Sequence, residues 1–195
     1  MRIRERDFWQ VSFRDLIQKD CGIDIDTILT AEELRNEIKK KGITLESETD
    51  INLLGRGNLI DLLYKKVSRP KMIEPTFLTQ HPIALSPLAR ANDNNKDITD
   101  RFQLVINGVE VINAYSELVD PEEQAKRLLE QADLKAKGDE DAMVMDKDYI
   151  TAMEYGMPPI SGWGMGIDRL IQVLLGTNNI KDSVLFPIMR PIEKD

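Results

Sequence analysis

The sequence predicts an α+β domain, with helices packed on a mostly antiparallel sheet. Three observations carry that prediction. Two strand-like runs within RFQLVINGVEVINAYSEL (101–118) meet at Asn107-Gly108, a dipeptide that favours a type I′ hairpin. Well-capped helical segments lie on either side of this hairpin. A glycine-spaced stretch, GWGMG, then opens a final apolar helix.

Taken in order, SFRDLIQKD (12–20) predicts a short helix capped by Ser12 and ended by Gly22. Thr30 starts a second helix, with Glu33 placed to complete a capping box. Its lysines fall in the last turn before Gly42, where the helix dipole favours cations. A third helix is expected over roughly 50–67, with Leu53, Leu54, Ile60, Leu63 and Tyr64 near one face. Residues 1–69 therefore read as a helical, charged region without evident chemistry, and residues 70–195 as a second region. There, IEPTFLTQHPIALSPL predicts a strand entering a loop. After the hairpin, Asp120-Pro121-Glu122-Glu123 is a strong helix start, for a helix reaching about Gly138. Another helix is expected from Asp146 to Gly156. The glycine-spaced turn precedes a helix over 167–175 that stops at Gly176, and VLFPIM (184–189) predicts a last strand.

Composition narrows the function. With 42% hydrophobic and 31% charged residues in 195, the chain has the make-up of a soluble globular domain. No window approaches the 18 apolar residues of a membrane span, and the N-terminal residues do not resemble a signal peptide. Lone Cys21 excludes an internal disulfide framework and suits a reducing cytoplasm; it is expected at a helix end, half-buried. His81, the single histidine, has no partner for a His-rich metal site and is expected in a loop. With 26 basic against 34 acidic residues the net charge is −8, and no long basic run is present. Such a chain is a poor nucleic-acid binder by itself.

Two clusters carry possible chemistry. Asn113, Tyr115 and Glu117 share one strand face if the strand is regular. A carboxylate, a phenol and an amide in a row suit a small polar ligand with a cationic tip; a solvated face with an incidental tyrosine is the alternative. In Gly162-Trp163-Gly164-Met165-Gly166-Ile167-Asp168-Arg169, alternate glycines allow a backbone to approach a ligand closely. The helix behind them offers free N–H groups. Arg169 sits in the first turn, where the dipole disfavours a cation, so another partner such as a phosphate is expected. The alternative is a packing turn with a surface arginine. The segment fits neither a Walker loop nor a dinucleotide-binding fingerprint. The methionines of MVMDKDYITAMEYGMPP (143–159) fall at helical spacing and predict core packing, and KAKGDED predicts a solvated turn.

At these residues the chain resembles class II lysyl-tRNA synthetases. GWGMGIDRL is similar to motif 3 of that class, NAYSELVDPEEQ (113–124) to the lysine-pocket segment, and GDEDAMVMDKDYITAMEYGMPP (138–159) to the stretch before motif 3. PTFLTQHPIALSPLAR (75–90) and SVLFPIMRP (183–191) match in the same order, whereas residues 1–69 resemble the helical region between motifs 2 and 3 only weakly. The resemblance implies part of a class II aminoacyl-tRNA synthetase catalytic domain. It implies that Arg169 binds the ATP γ-phosphate, with Gly166 and Asp168 at the same site. Glu117 would pair the lysine ε-ammonium, with Asn113 and Tyr115 orienting the substrate and Gly162 and Gly164 beside it. Glu110 would hold Mg2+ near the phosphates. Regular alternation would put Glu110 on the face opposite Glu117, so a bulge or strong twist after Gly108 is required. The family's RFE, a second metal carboxylate, is RFQ here, leaving Gln103, a weaker ligand.

The implied reaction of an intact enzyme is attack of the lysine carboxylate on the ATP α-phosphate, then transfer of the lysyl group to tRNA(Lys). Motif 1, which carries much of the homodimer interface, motif 2 and the anticodon-binding OB domain are not recognisable in this sequence. The chain alone is therefore expected to be incomplete and inactive. A non-catalytic module, or a paralogue that lysylates protein, is the alternative; the NGFHEL-like segment typical of the latter is NAYSEL here. Aspartyl- and asparaginyl-type enzymes share the motif 3 logic, but a glutamate on the pocket strand favours a cationic substrate.

Overall fold

The computed structural model describes residues 8–46, 50–136 and 142–187. Five strands form one sheet in sequence order: β1 (Trp9–Ser12), β2 (Thr76–Thr79), β3 (Arg101–Ile106), β4 (Val109–Ser116) and β5 (Ser161–Met165). β1 runs parallel to β2, and every other neighbouring pair is antiparallel. Among the described residues six α-helices accompany the sheet: α1 (Phe13–Cys21), α2 (Ala31–Lys40), α3 (Arg56–Leu63), α4 (Pro121–Ala136), α5 (Lys147–Glu154) and α6 (Ile167–Leu175). This is the α+β arrangement that the sequence predicts.

Local chemistry explains the boundaries. Ser12 Oγ accepts from the Asp15 amide at 3.0 Å, and Thr30 and Glu33 form the full capping box of α2. Asp120 accepts from the amides of Glu122 and Glu123, and Asp146 from that of Tyr149. Asn107 and Gly108 adopt φ values of 50° and 71°, the pair of left-handed residues a type I′ turn needs.

The sheet has two differently used faces. On one, Leu104, Ile106 and Val111 form a cluster joined by Phe77, Ile112 and Met165 from the sheet and by Leu170 and Val173 of α6. On the other, Leu78 and Val105 belong to the larger core built from α1, α2 and α3, which includes Phe13, Ile17, Leu34, Leu59, Ile60 and Leu63. Residues of the 1–69 segment thus share a core with the sheet. A third cluster joins Leu128 of α4 to Ile150 and Met153 of α5, with Met145 and Met157 packed against it. Core packing of the methionines therefore holds for these three, while Met143 is exposed.

Four expectations are corrected. β1 was not anticipated: four residues with an exposed Trp9 lack an apolar signature, and pairing with β2 defines the strand. The third helix begins at Arg56 rather than near 50, because Asp50 closes a turn by accepting from the amides of Asn52 and Leu53; Leu53 is exposed. At its other end the helix widens into a π turn over Tyr64–Ser68 and a 3-10 turn over Arg69–Lys71. Pro70 has no N–H to continue a regular α ladder there. The first four residues of GWGMG are not a turn but lie in edge strand β5, extended by pairing with β4, and Gly166 caps α6. Residues 184–187 form no strand, and the rest of VLFPIM, like the GDED of KAKGDED, lies outside the described residues. Beside β5, Trp163 (69% exposed), Ile167, Leu174 and Leu175 leave apolar surface in solvent. Among the described residues, no helix is long and apolar enough to cross a membrane.

Candidate functional site

The site is built on the β3–β4 hairpin, and one extra residue decides its composition. Leu104 pairs with Ile112, but the next β3 residue, Val105, pairs with Glu110. Val111 is therefore a bulge residue, and it packs with Ile112 under α6. The bulge turns Glu110 to the same face as Asn113 and Tyr115, as the resemblance implied and regular alternation did not. Opposite these on β3 stand Arg101, paired with Tyr115, and Gln103, paired with Asn113. On the other side Gly162 pairs with Tyr115, and Gly164 with Asn113, so β5 borders the face without side chains.

One end of this face is anionic and cationic in close company. Gln103 Nε2 donates to Glu110 Oε2 at 2.8 Å. Arg169 Nη1 donates to the Glu110 carbonyl at 3.1 Å and lies 3.8 Å from Glu110 Oε1. Its side chain remains half exposed, leaving donors for a further anion. Gly166 precedes α6, and its amide donates to the Val111 carbonyl at 3.1 Å. A Cβ on Gly166 would meet the Arg169 side chain at 3.1 Å, so its absence lets the arginine fold back over the strand junction. Asp168 is exposed in the first turn of α6.

The other end carries Glu117, just beyond β4. Its amide donates to the Ile160 carbonyl, and its carboxylate lies over Gly162. Burial pushes the Glu117 carboxyl above the usual carboxylate range. Burial and the nearby Glu117 charge push the Tyr115 and Tyr149 phenols up. A partly desolvated carboxylate beside two phenols gains most from a cation that restores its lost solvation. Between the two ends, Asn113 Oδ1 accepts from Arg101 Nε at 2.9 Å, and Arg101 Nη1 donates to the Leu85 carbonyl and Ser86 Oγ. Burial lowers the pKa of Arg101.

The structure thus brings Gln103, Glu110 and Arg169 together, and separately Tyr115, Glu117 and Gly162, along one strand. Arg101, Tyr149 and Tyr64 were missed. Arg101 could have been found from its place two residues before Gln103 on the same face; the contacts of Tyr149 and Tyr64 are tertiary and left no local signal. A protein-held metal fits poorly. Among the described residues no group of three or more His, Cys, Asp or Glu converges. Glu110 shares its corner with an amide that turns an N–H donor toward it, not a ligand oxygen. His81 follows β2 in a loop, but is buried, and neither ring nitrogen makes a well-formed hydrogen bond. Cys21 is more buried than expected, and burial pushes its thiol up.

The sheet face thus carries a half-exposed arginine at one end and a partly desolvated carboxylate at the other. Residues 3–190 match the family model of the class II tRNA synthetases (D, K and N), and the chain belongs to that family. More narrowly, it is similar to lysine–tRNA ligases: 42% identical over 187 residues to that of Thermosipho africanus, 43% over 185 to that of Helicobacter pylori, and 45% over 189 to the heat-inducible enzyme of Escherichia coli. These matches cover 96%, 95% and 94% of this chain but 36% of each relative, so the chain spans little more than a third of their length.

Proposed function

We propose that this chain supplies the lysine pocket and one phosphate clamp of a lysine–tRNA ligase. The carrying observation is the row on β4. Glu110 and Glu117 face the same side, with Asn113, Tyr115 and the side-chain-free β5 glycines between them. The two carboxylates are separated by roughly 20 Å of strand, room for an amino acid and a polyphosphate in line. Glu117 pairs the ε-ammonium, Tyr115 and Tyr149 flank it, and Asn113, held by Arg101, orients the substrate. Arg169 faces the ATP phosphates, with Gly166 and Asp168 beside it.

In the complete enzyme a lysine carboxylate oxygen forms a bond to the α-phosphorus of ATP. The bond to the bridging oxygen breaks, and pyrophosphate leaves. No protein nucleophile is needed: positioning and charge neutralisation carry the step. Transfer to tRNA(Lys), homodimer formation and a cytoplasmic setting belong to the same reading. The chain by itself is an incomplete catalyst.

Calorimetry tests this reading. Lysine should bind the chain, and Glu117→Ala should weaken binding by about 2–5 kcal/mol, the loss typical of a truncated hydrogen-bonded charge pair. Lysine binding that is unchanged in Glu117→Ala would overturn the pocket assignment. Lysine-dependent ATP–pyrophosphate exchange at the rate of a full-length ligase would overturn the incompleteness.

A further inference from the structure

We propose that Tyr64 and Gln103 form a hydrogen-bonded brace that holds Glu110 against Arg169 in place of a divalent cation shared between residues 103 and 110. The chemistry of the groups fixes the brace's direction. An ionised Glu110 only accepts, so the Gln103 amide must turn its NH2 toward it, at 2.8 Å. The amide oxygen then faces the opposite way, where the Tyr64 hydroxyl donates to it at 3.4 Å. Tyr64 and Gln103 are 2% and 5% exposed, so solvent does not compete for the bond between them, and Glu110 is the partly exposed end of the hydrogen-bond chain.

The fold holds the phenol in place. Tyr64 opens the π turn after α3, and its ring lies 5.2 Å from that of Phe13. Burial keeps the hydroxyl protonated, so the donor persists throughout the working pH range. Other charges near Gln103 are engaged: Asp61, which lines the same 340 Å3 cavity, pairs with Lys65 at 2.6 Å. A glutamate at 103 would place a second carboxylate within hydrogen-bond distance of Glu110 and demand a cation or a proton. Glutamine demands neither, and the braced Glu110 presents its carbonyl and Oε1 to Arg169. Tyr64 is thus a positioning residue, acting on Arg169 through Gln103 and Glu110. The role of Arg169 rests on the phosphate reading above; the brace itself is tested without lysine or ATP, so the two can fail separately.

The experiment uses the chain and Mn2+ alone, followed by the electron paramagnetic resonance of the free ion. Gln103→Glu should bind Mn2+ at least about tenfold more tightly than wild type, because it adds a ligand charge. Its melting temperature should fall in EDTA and recover with Mn2+, whereas that of wild type should not respond. Wild type binding Mn2+ as tightly as Gln103→Glu would overturn the proposal. A second measurement holds even if that variant folds poorly. In Tyr64→Phe, the Gln103 amide loses the anchor on its oxygen, so its NH2 should leave Glu110 more often and exchange with solvent about tenfold faster by NMR. Unchanged exchange would remove Tyr64 from the brace.

Discussion

A methyl group on Gly162 would lie 2.5 Å from Glu117 Oε1, nearer than a carbon and an oxygen can approach without bonding. The atom displaced is the tip of a side chain, so the fold can adapt while the carboxylate cannot stay. Gly162→Ala should therefore lower lysine affinity by about tenfold or more, about 1.4 kcal/mol, with little change in melting temperature. Gly164, opposite Asn113, has nothing within 4 Å of the same position. Gly164→Ala should be equally stable, and any loss of lysine or ATP affinity would place ligand in that space. Calorimetry paired with thermal melts separates the two effects.

Glu117 makes a prediction about pH. Its carboxyl is raised by burial, so in the window above the usual value of 4.5 the folded chain holds a proton that the unfolded chain has lost. Stability from this group is then complete below 4.5 and is lost as pH rises through the folded value. Glu117→Gln should melt slightly higher than wild type at neutral pH, yet bind lysine poorly. In wild type, lysine affinity should decline on acidification, starting above the ordinary carboxylate range. That decline should be absent from whatever binding Glu117→Gln retains; the same pH profile in both proteins would assign the titration elsewhere.

Helix caps were legible because they are local: Ser12, Thr30 with Glu33, Asp120 and Asp146 each name their own partners within three residues. The hairpin was legible for the same reason, and its bulge could be demanded because Glu110 and Glu117 had to share a face. What stayed hidden depends on contacts distant in sequence. β1 exists through its pairing with β2, some 67 residues away. Tyr64 meets Gln103 across 39 residues, and a helical position says nothing about which strand it will face. GWGMG read as a turn because glycine spacing is ambiguous until a neighbouring strand pairs with it.

Gly57 probes how α3 seats on the loop after β2. A Cβ there would lie 2.9 Å from the Ala84 carbonyl oxygen, a backbone atom that cannot rotate away. Alanine would otherwise favour the helix by about 1 kcal/mol. Gly57→Ala should nevertheless destabilise the chain by about 1–3 kcal/mol, the range for an overpacked contact. Urea denaturation measures this; a stabilised variant would mean that the loop yields freely.

His81 sets the chain's sensitivity to acid. It is 1% exposed, lies beside the Phe13 ring, and makes no well-formed hydrogen bond at either nitrogen, although the Gln103 side chain and the Arg101 backbone approach it. Burial, reinforced by the positive charge of Arg101, pushes its pKa down to about 3 from 6.5. Between those values the unfolded chain binds the extra proton, so stability is present above 6.5 and falls as pH drops through the window. From pH 7 to pH 5 the expected loss from this group is about 2 kcal/mol. Urea unfolding of wild type and His81→Leu at both pH values isolates it, since the carboxylates are common to both proteins. The variant should lose about 2 kcal/mol less than wild type over that interval. Equal losses would show that the imidazole reaches solvent or a partner before the chain unfolds.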